Sequence, residues 1–495
     1  MRRLGTICAG LMLLFVQAVV TAADKPFVHP LFASDMVLQR GMEDPIWGWT
    51  EPGKTVTVSM SGKSVTATAD KDGKWMAKIG PFEAGGPFDL NISGPQEVKL
   101  TNVLVGDVWI CSGQSNMEMG LGNAYDKDHE ITSANHSQIR LFTVPKHVAY
   151  TPQTDFGTSP HPNEAQWLEC NPKNIMVGDW AGFSAVGYFF GRDLHEKLHV
   201  PIGLIHTSWG GTICEAWVSG PSLKKMVDFQ ETVDTIEKTG KAPASPNGRR
   251  DTGPNVPTVL YNGMIAPLEP MAIKGAIWYQ GESNAGRAKQ YRTLLPTMIG
   301  DWRSRFTGGG DFPFFIVQLA SFMRPSVQPE ESQWAELREA QAYAAETVGH
   351  SAIAVTLDLG NALDIHPKNK QEVGARLALD ALAIAYGQDV EYSGPVYKQM
   401  TVEGNKARLK FDHTAGGLAA AGGPLGDFAI AGDDGKFVWA DARIDHDTVV
   451  VSSKQVEKPK AVRYGWTNNA DLANLVNKAG LPAAPFRTDA PSTPQ

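Results

Sequence analysis

From about Pro26 to Leu104 short runs of alternating apolar and polar residues are separated by turns, the pattern of half-buried strands. Thr55-Val56-Thr57-Val58-Ser59, Ser64-Val65-Thr66-Ala67-Thr68 and Trp75-Met76-Ala77-Lys78-Ile79 are examples, and Lys71-Asp72-Gly73-Lys74, between the last two, has the composition of a hairpin turn. The spacing predicts an all-β module, a small sandwich, over 24–104. The pattern then changes. Val105 to Cys111, Pro201 to His206, Ala272 to Tyr279, Phe312 to Leu319 and Ser351 to Leu357 are apolar runs of strand length, and Phe183 to His195, Gln333 to Glu346 and Lys370 to Tyr386 carry apolar residues at helical spacing. Strands alternating with helices predict a parallel sheet covered on both faces, over 105–392. A charged, Gly- and Pro-containing stretch, 223–257, reads as a surface insertion or lid. Strand patterns with Gly-rich turns return over 393–482, and the Pro/Ala/Thr-rich end, 483–495, reads as a disordered tail. The two flanking β segments can be separate modules or can pack together around the α/β part.

Length and composition agree with this reading. A chain of 495 residues is too long for one ordinary domain, and 42% hydrophobic with 20% charged residues suits a globular protein with a substantial core. The net charge of −8 lacks the basic excess of a dedicated nucleic-acid binder. Arg2 and Arg3, the mainly apolar stretch Leu4 to Val20 and the small-x-small Val20-Thr21-Ala22 predict a secretory leader over 1–23, so the protein is expected to be periplasmic or secreted. That stretch is short for a bilayer, and no membrane insertion is expected once it is removed. Nothing in the pattern specifies an oligomeric state. Cys8 leaves with the leader, and one disulfide can form among Cys111, Cys170 and Cys214. With neither C-x-x-C nor H-E-x-x-H present, no metal and no cofactor are expected.

The chemistry concentrates in loops that follow the apolar runs, where open parallel sheets build their sites. Ser115 stands on the Gly/Ser turn Ser112-Gly113-Gln114-Ser115-Asn116-Met117, which can present its hydroxyl beside backbone N–H groups. Ser208-Trp209-Gly210-Gly211-Thr212 lets a carbonyl substrate approach the main chain closely. Tyr279-Gln280-Gly281-Glu282-Ser283-Asn284 is dense in groups that bind hydroxyls. His366, in Asp364-Ile365-His366-Pro367, precedes a helix, and Asp364 can supply the acceptor that fixes the tautomer of a base histidine. Trp109, Trp209 and Trp278 either line a ligand site or pack in the core.

These four blocks, in this order, resemble the sialate O-acetylesterase family of the SGNH hydrolases, over about Val105 to Gly387. The resemblance implies an α/β, flavodoxin-like parallel-sheet catalytic domain, here flanked by β-rich accessory segments. It implies a serine esterase that hydrolyses O-acetyl groups of carbohydrates, acetylated sialic acids or plant cell-wall glycans, through an acetyl-enzyme. Ser115 corresponds to the nucleophile and His366 to the general base; Gly210 and Asn284 correspond to oxyanion donors. Leu363 stands where many members carry Asp, so Asp364 is the candidate acid. Gly281-Glu282-Ser283-Asn284 is one residue longer than the usual Gly-x-Asn, so Gln280 is a second amide candidate. Two other functions fit parts of the sequence. A non-catalytic carbohydrate-binding protein would use the β modules, and a glycoside hydrolase would pair carboxylates from Asp358, Asp364 and Glu282.

Overall fold

The computed structural model describes residues 25–157, 163–244, 248, 250–306 and 310–489; the expected leader lies outside them. Its centre is a sheet of strands β1 (Glu97–Gly113), β2 (His136–Thr143), β3 (Trp167–Cys170), β4 (Ile202–Ser208), β5 (Gly275–Tyr279), β6 (Phe314–Val317) and β7 (Ser351–Ala354). They lie in the order β7-β6-β5-β1-β4-β2-β3. Every neighbouring pair is parallel except β2 with β3. β4, β5 and β6 are buried along their whole lengths, so neither face can meet water, and helices cover both.

On one face α2 (Ala185–Leu198) packs against α5 (Lys370–Ile384), with Phe189 and Phe190 beside Val373 and Leu377. On the other lie α3 (Ala288–Arg303) and α4 (Gln333–Thr347), which bury Leu294, Leu295, Trp302, Trp334 and Leu337. Ser184, Ser332 and Asn369 cap α2, α4 and α5 by accepting a backbone N–H in the first turn. From β1 the chain runs out to β2 and the edge strand β3, returns to β4 beside β1, and then crosses to β5, β6 and β7 on the other side. The switch point of this doubly wound, flavodoxin-like sheet therefore flanks β1, and the loops after β1, β4 and β5 open there.

β1 itself is longer than the apolar run that announced it. Its first half pairs antiparallel with Gly85–Ser93 of the N-terminal β segment, and its second half lies between β4 and β5. The expected division at 104/105 falls inside this one strand. In the N-terminal segment the hairpin is not the one expected. Lys63–Thr68 pairs with Thr55–Met60 through Ser61 and Gly62, both at positive φ, while Lys74–Ile79 pairs with Asp44–Trp49 in another sheet. Lys71-Asp72-Gly73-Lys74 instead carries the chain between two layers, held by Asp70 Oδ1, which accepts the N–H groups of Asp72 and Lys74. The 223–257 stretch contains a helix, Val227–Thr239, that buries Phe229, Val233 and Ile236.

The C-terminal segment forms two four-stranded antiparallel sheets around a core of its own, separate from the core that holds the N-terminal β segment. Residues 483–489, expected in a disordered tail, are ordered. Ala483 is buried, Phe486 stacks on Tyr397 with centroids 4.6 Å apart, and Arg487 pairs with Glu339. Apolar Phe486 and the ion pair anchor a stretch whose Pro/Ala content alone signals disorder. Cys111, Cys170 and Cys214 are all free and buried in different elements, so the disulfide allowed by their number does not form. No helix among the described residues is long and apolar enough to cross a membrane.

Candidate active site

Strand register brings the expected loops together. Gly113, at the end of β1, is paired with Ser208 of β4 on one side and Tyr279 of β5 on the other. Gly113 has φ +142°, and a Cβ there would lie 2.1 Å from the Tyr279 carbonyl oxygen, so only glycine allows this junction. The chain then turns at once into α1 (Ser115–Glu118), which starts at Ser115. His366 arrives from the loop after β7, and its Nε2 lies 3.0 Å from Ser115 Oγ, 251 residues apart in sequence. Asp364 Oδ1 accepts the His366 backbone N–H at 2.9 Å and lies 3.5 Å from His366 Nδ1. Burial lowers the proton affinity of His366 below its ordinary value, Asp364 and Glu118 oppose that fall, and Lys370 adds to it. Trp180 stands edge-on to the imidazole with centroids 4.7 Å apart.

Gly210 is beside the serine: a Cβ on it would lie 3.3 Å from Ser115 Cβ. Its N–H donates to Glu118 Oε2, and Glu118 Oε1 accepts from Lys146 Nζ, which also donates to Asp179 at 2.9 Å. An acceptor oxygen of a carboxylate therefore already sits at the Gly210 N–H. A small cavity of about 20 Å³ opens next to it, lined in part by Glu118, Lys146, Trp180 and Ser208.

The two amide candidates differ. Gln280 is fully buried, and its Nε2 donates both to the Thr212 carbonyl and to Asn284 Oδ1, so no amide hydrogen of Gln280 is left for a substrate oxygen. Asn284 Oδ1 accepts from the Cys214 N–H, and its Nδ2 gives one hydrogen to Glu215. Together they brace the loop after β4 from behind. Trp109 and Trp278 are core residues at 0% exposure, which removes both from any sugar site, because each sits in a strand covered on both faces. Trp209 is half-buried, with Lys146 Nζ 5.7 Å from its ring centre. Asp358 is held by Arg376 through two hydrogen bonds, Glu282 by Asn116, and Asp364 by the His366 main chain.

Several residues here carried no signal in the sequence. Gln114 Oε1 accepts the N–H groups of Gly281 and Ser283, each at 3.3 Å. Asn116 and buried Lys370 join the loops from beneath. Asn116 was in a recognised block but had no assignable partner, and nothing in the pattern separates Lys370 from its neighbour Lys368.

A doubly wound sheet with these loops at its switch point belongs to the carbohydrate O-acetylesterases, as comparison with known proteins shows. Residues 105–383 match the family model described as carbohydrate esterase, sialic acid-specific acetylesterase, and the chain belongs to that family. It is 33% identical to the sialate O-acetylesterase of Homo sapiens over 440 residues, 82% of this chain and 81% of that protein. The Mus musculus sialate O-acetylesterase is 32% identical over 450 residues. A solved carbohydrate acetylesterase from Xanthomonas citri is 40% identical with a TM-score of 0.83, covering 94% of this chain and 99% of that one.

Proposed function

We propose that the protein is an exported serine esterase that removes acetyl groups from sugar hydroxyls, with Ser115 as nucleophile and His366 as base. The reading rests on the 3.0 Å contact between Ser115 Oγ and His366 Nε2 at the switch point of the sheet. Ser115 Oγ attacks the acetyl carbonyl carbon as its proton passes to His366 Nε2. The carbonyl oxygen becomes an oxyanion, and the Gly210 N–H turns to it only as Glu118 Oε2, which holds that N–H beforehand, swings away. The Ser115 N–H and the second amide hydrogen of Asn284 are the further donors in this scheme. Collapse breaks the bond to the sugar oxygen, which leaves with the proton from His366, and acetyl-Ser115 remains. Water then gives a proton to His366 as its oxygen attacks the acetyl carbonyl; collapse breaks the bond to Ser115 Oγ, which takes the proton back from His366, and acetic acid leaves and ionises to acetate. Asp364 orients the imidazole.

The substrate class is O-acetylated carbohydrate, with acetylated sialic acids and acetylated plant cell-wall glycans as the two groups to compare. The test is acetate release from an aryl acetate and from a panel of acetylated glycans by the wild type and by Ser115→Ala at matched folding. The variant is expected to lose several orders of magnitude in turnover, since only binding and oxyanion effects remain. Near-normal turnover by folded Ser115→Ala would remove Ser115 from the mechanism.

A further inference from the structure

We propose that Lys370 and Glu282, acting through the side chain of Asn116, are positioning residues that hold the His366 segment on the Ser115 turn. The inference rests on the Ser115–His366 reading above. Asn116 follows Ser115 directly, and its amide is buried. Its Nδ2 donates to Glu282 Oε1 at 2.6 Å and to the Ile365 carbonyl at 3.0 Å, and its Oδ1 accepts from Lys370 Nζ at 2.6 Å. One amide thus ties the turn after β1 to the loop after β5, the loop after β7 and the start of α5. Ile365 is joined to His366, so fixing its carbonyl fixes the peptide that carries the imidazole. Lysine can only donate and an ionised glutamate can only accept, so together they dictate which way the Asn116 amide faces.

Lys370 is 0% exposed and Glu282 only partly accessible, and charges withdrawn from water in this way are costly unless their geometry compensates. Apolar residues would fill such a place at less cost. The arrangement also sets a charge behind the base. The groups acting on His366 are Asp364 and Glu118, which favour its protonation, and Lys370, which disfavours it; Ser115 and Trp180 are neutral. The groups around Lys370 are Glu282, Asp364 and the Tyr279 ring, 5.1 Å away, and burial brings its proton affinity down to about 7. A cationic Lys370 keeps His366 deprotonated to lower pH.

The experiment compares kcat, KM and the pH profile of aryl acetate hydrolysis for wild type, Lys370→Met, Lys370→Gln and Glu282→Gln, with Ser115→Ala in the same series. Lys370→Met is expected to lower kcat about 10- to 100-fold with little change in KM, the scale of a displaced reacting group. The acid limb of its kcat/KM profile should move to higher pH. Lys370→Gln can still donate to Asn116, so it should recover part of kcat while keeping the displaced limb. Glu282→Gln should lower kcat and, because Glu282 supports the charge on Lys370, should move the acid limb to higher pH as well, by no more than Lys370→Met does. If Lys370→Met does not fold, the two glutamine variants decide: wild-type kcat in both, or an unmoved acid limb in Lys370→Gln, overturns the proposal. An unmoved limb in folded Lys370→Met overturns it equally. Turnover persisting in Ser115→Ala would instead refute the underlying reading.

Discussion

At the scale of single residues the site is a set of opposed influences on one imidazole. Burial, the largest, lowers the proton affinity of His366, and Lys370 lowers it further, while Asp364 and Glu118 raise it. A base must be deprotonated, so the acid limb of kcat/KM is expected below the ordinary histidine value of about 6.5. Asp364→Asn removes one raising influence, so its limb should move to lower pH, opposite to Lys370→Met. Its turnover should fall by on the order of ~10²–10⁴, the upper figure being that of a serine-protease triad Asp. Asp358→Asn breaks only the pair with Arg376, so its turnover and limb should stay near those of the wild type. The measurement is kcat/KM against pH for all three at matched folding. A collapse in Asp358→Asn with Asp364→Asn intact would move the orienting role to Asp358. Ser115, His366 and Asp364, which the structure brings together, could be singled out in the sequence because the proposed chemistry demands those residue types in those loops. Gln280 was misread because an amide in the right block looks the same whether it faces a substrate or, as here, Thr212 and Asn284. Glu118 escaped notice because its place against Gly210 depends on the turn of α1, not on any spacing in the chain.

At the scale of elements, most strands and helices of the α/β part were visible as apolar runs and helical spacing. α3 was not, although Tyr291, Leu294, Leu295, Met298, Ile299 and Trp302 lie on one buried face. Pro296 and Gly300 inside it read as breaks, yet the Pro ring is partly exposed and the missing N–H bond is tolerated there. The layer crossing at Lys71-Asp72-Gly73-Lys74 was also hidden, since a tight turn has the same composition whether its strands pair or separate into two sheets. The element that sets the geometry of the site is the end of β1. Gly113 lets the β1 backbone close on Tyr279 of β5 and leaves Ser115 between the loops after β4 and β5. Gly113→Ala would add a Cβ 2.1 Å from a backbone oxygen at φ +142°, and backbone cannot swing aside as a flexible side chain can. The expected cost is about 4 kcal/mol or more, the range of strain at a special backbone conformation combined with overpacking. A thermal melt reads it directly. A Gly113→Ala variant with an unchanged melting temperature would show that this junction is not under steric control.

At the scale of the whole molecule the question is what fixes the C-terminal β segment to the α/β body. Its hydrophobic core takes in Val355 and Leu357, from the chain just after β7, so some of the union is apolar. The polar part includes the ion pairs Arg463–Glu331 and Arg487–Glu339 and, most deeply buried, one further side chain. Arg338, on α4, is completely buried, and its guanidinium donates to the carbonyls of Leu319 and Ala320 on its own side and of Thr467 and Asn468 across the junction. Among the described residues no carboxylate lies within ion-pair distance of it. Burial lowers its proton affinity to about 9, and Asp427 and Tyr279 act the other way from a distance. The four carbonyls therefore carry the charge, and in return the guanidinium is the one donor to the carbonyls of Leu319 and Thr467, while those of Ala320 and Asn468 also accept from Trp334 Nε1 and the Phe322 N–H. Arg338→Met keeps the apolar stem and removes all four donors. The carbonyls of Leu319 and Thr467 are left unpaired at about 1–3 kcal/mol each, while those of Ala320 and Asn468 keep a second donor, so a total near 4 kcal/mol is expected. Because the loss falls on the junction, it should not be spread evenly. In calorimetry the variant should melt in two steps where the wild type melts in one, with the C-terminal segment, 393–489, first. Proteolysis should cut that segment before the α/β core. A single transition lowered as a whole, with no early cleavage of 393–489, would mean that the apolar contacts at Val355 and Leu357 and the Arg463–Glu331 and Arg487–Glu339 pairs couple the two parts without Arg338.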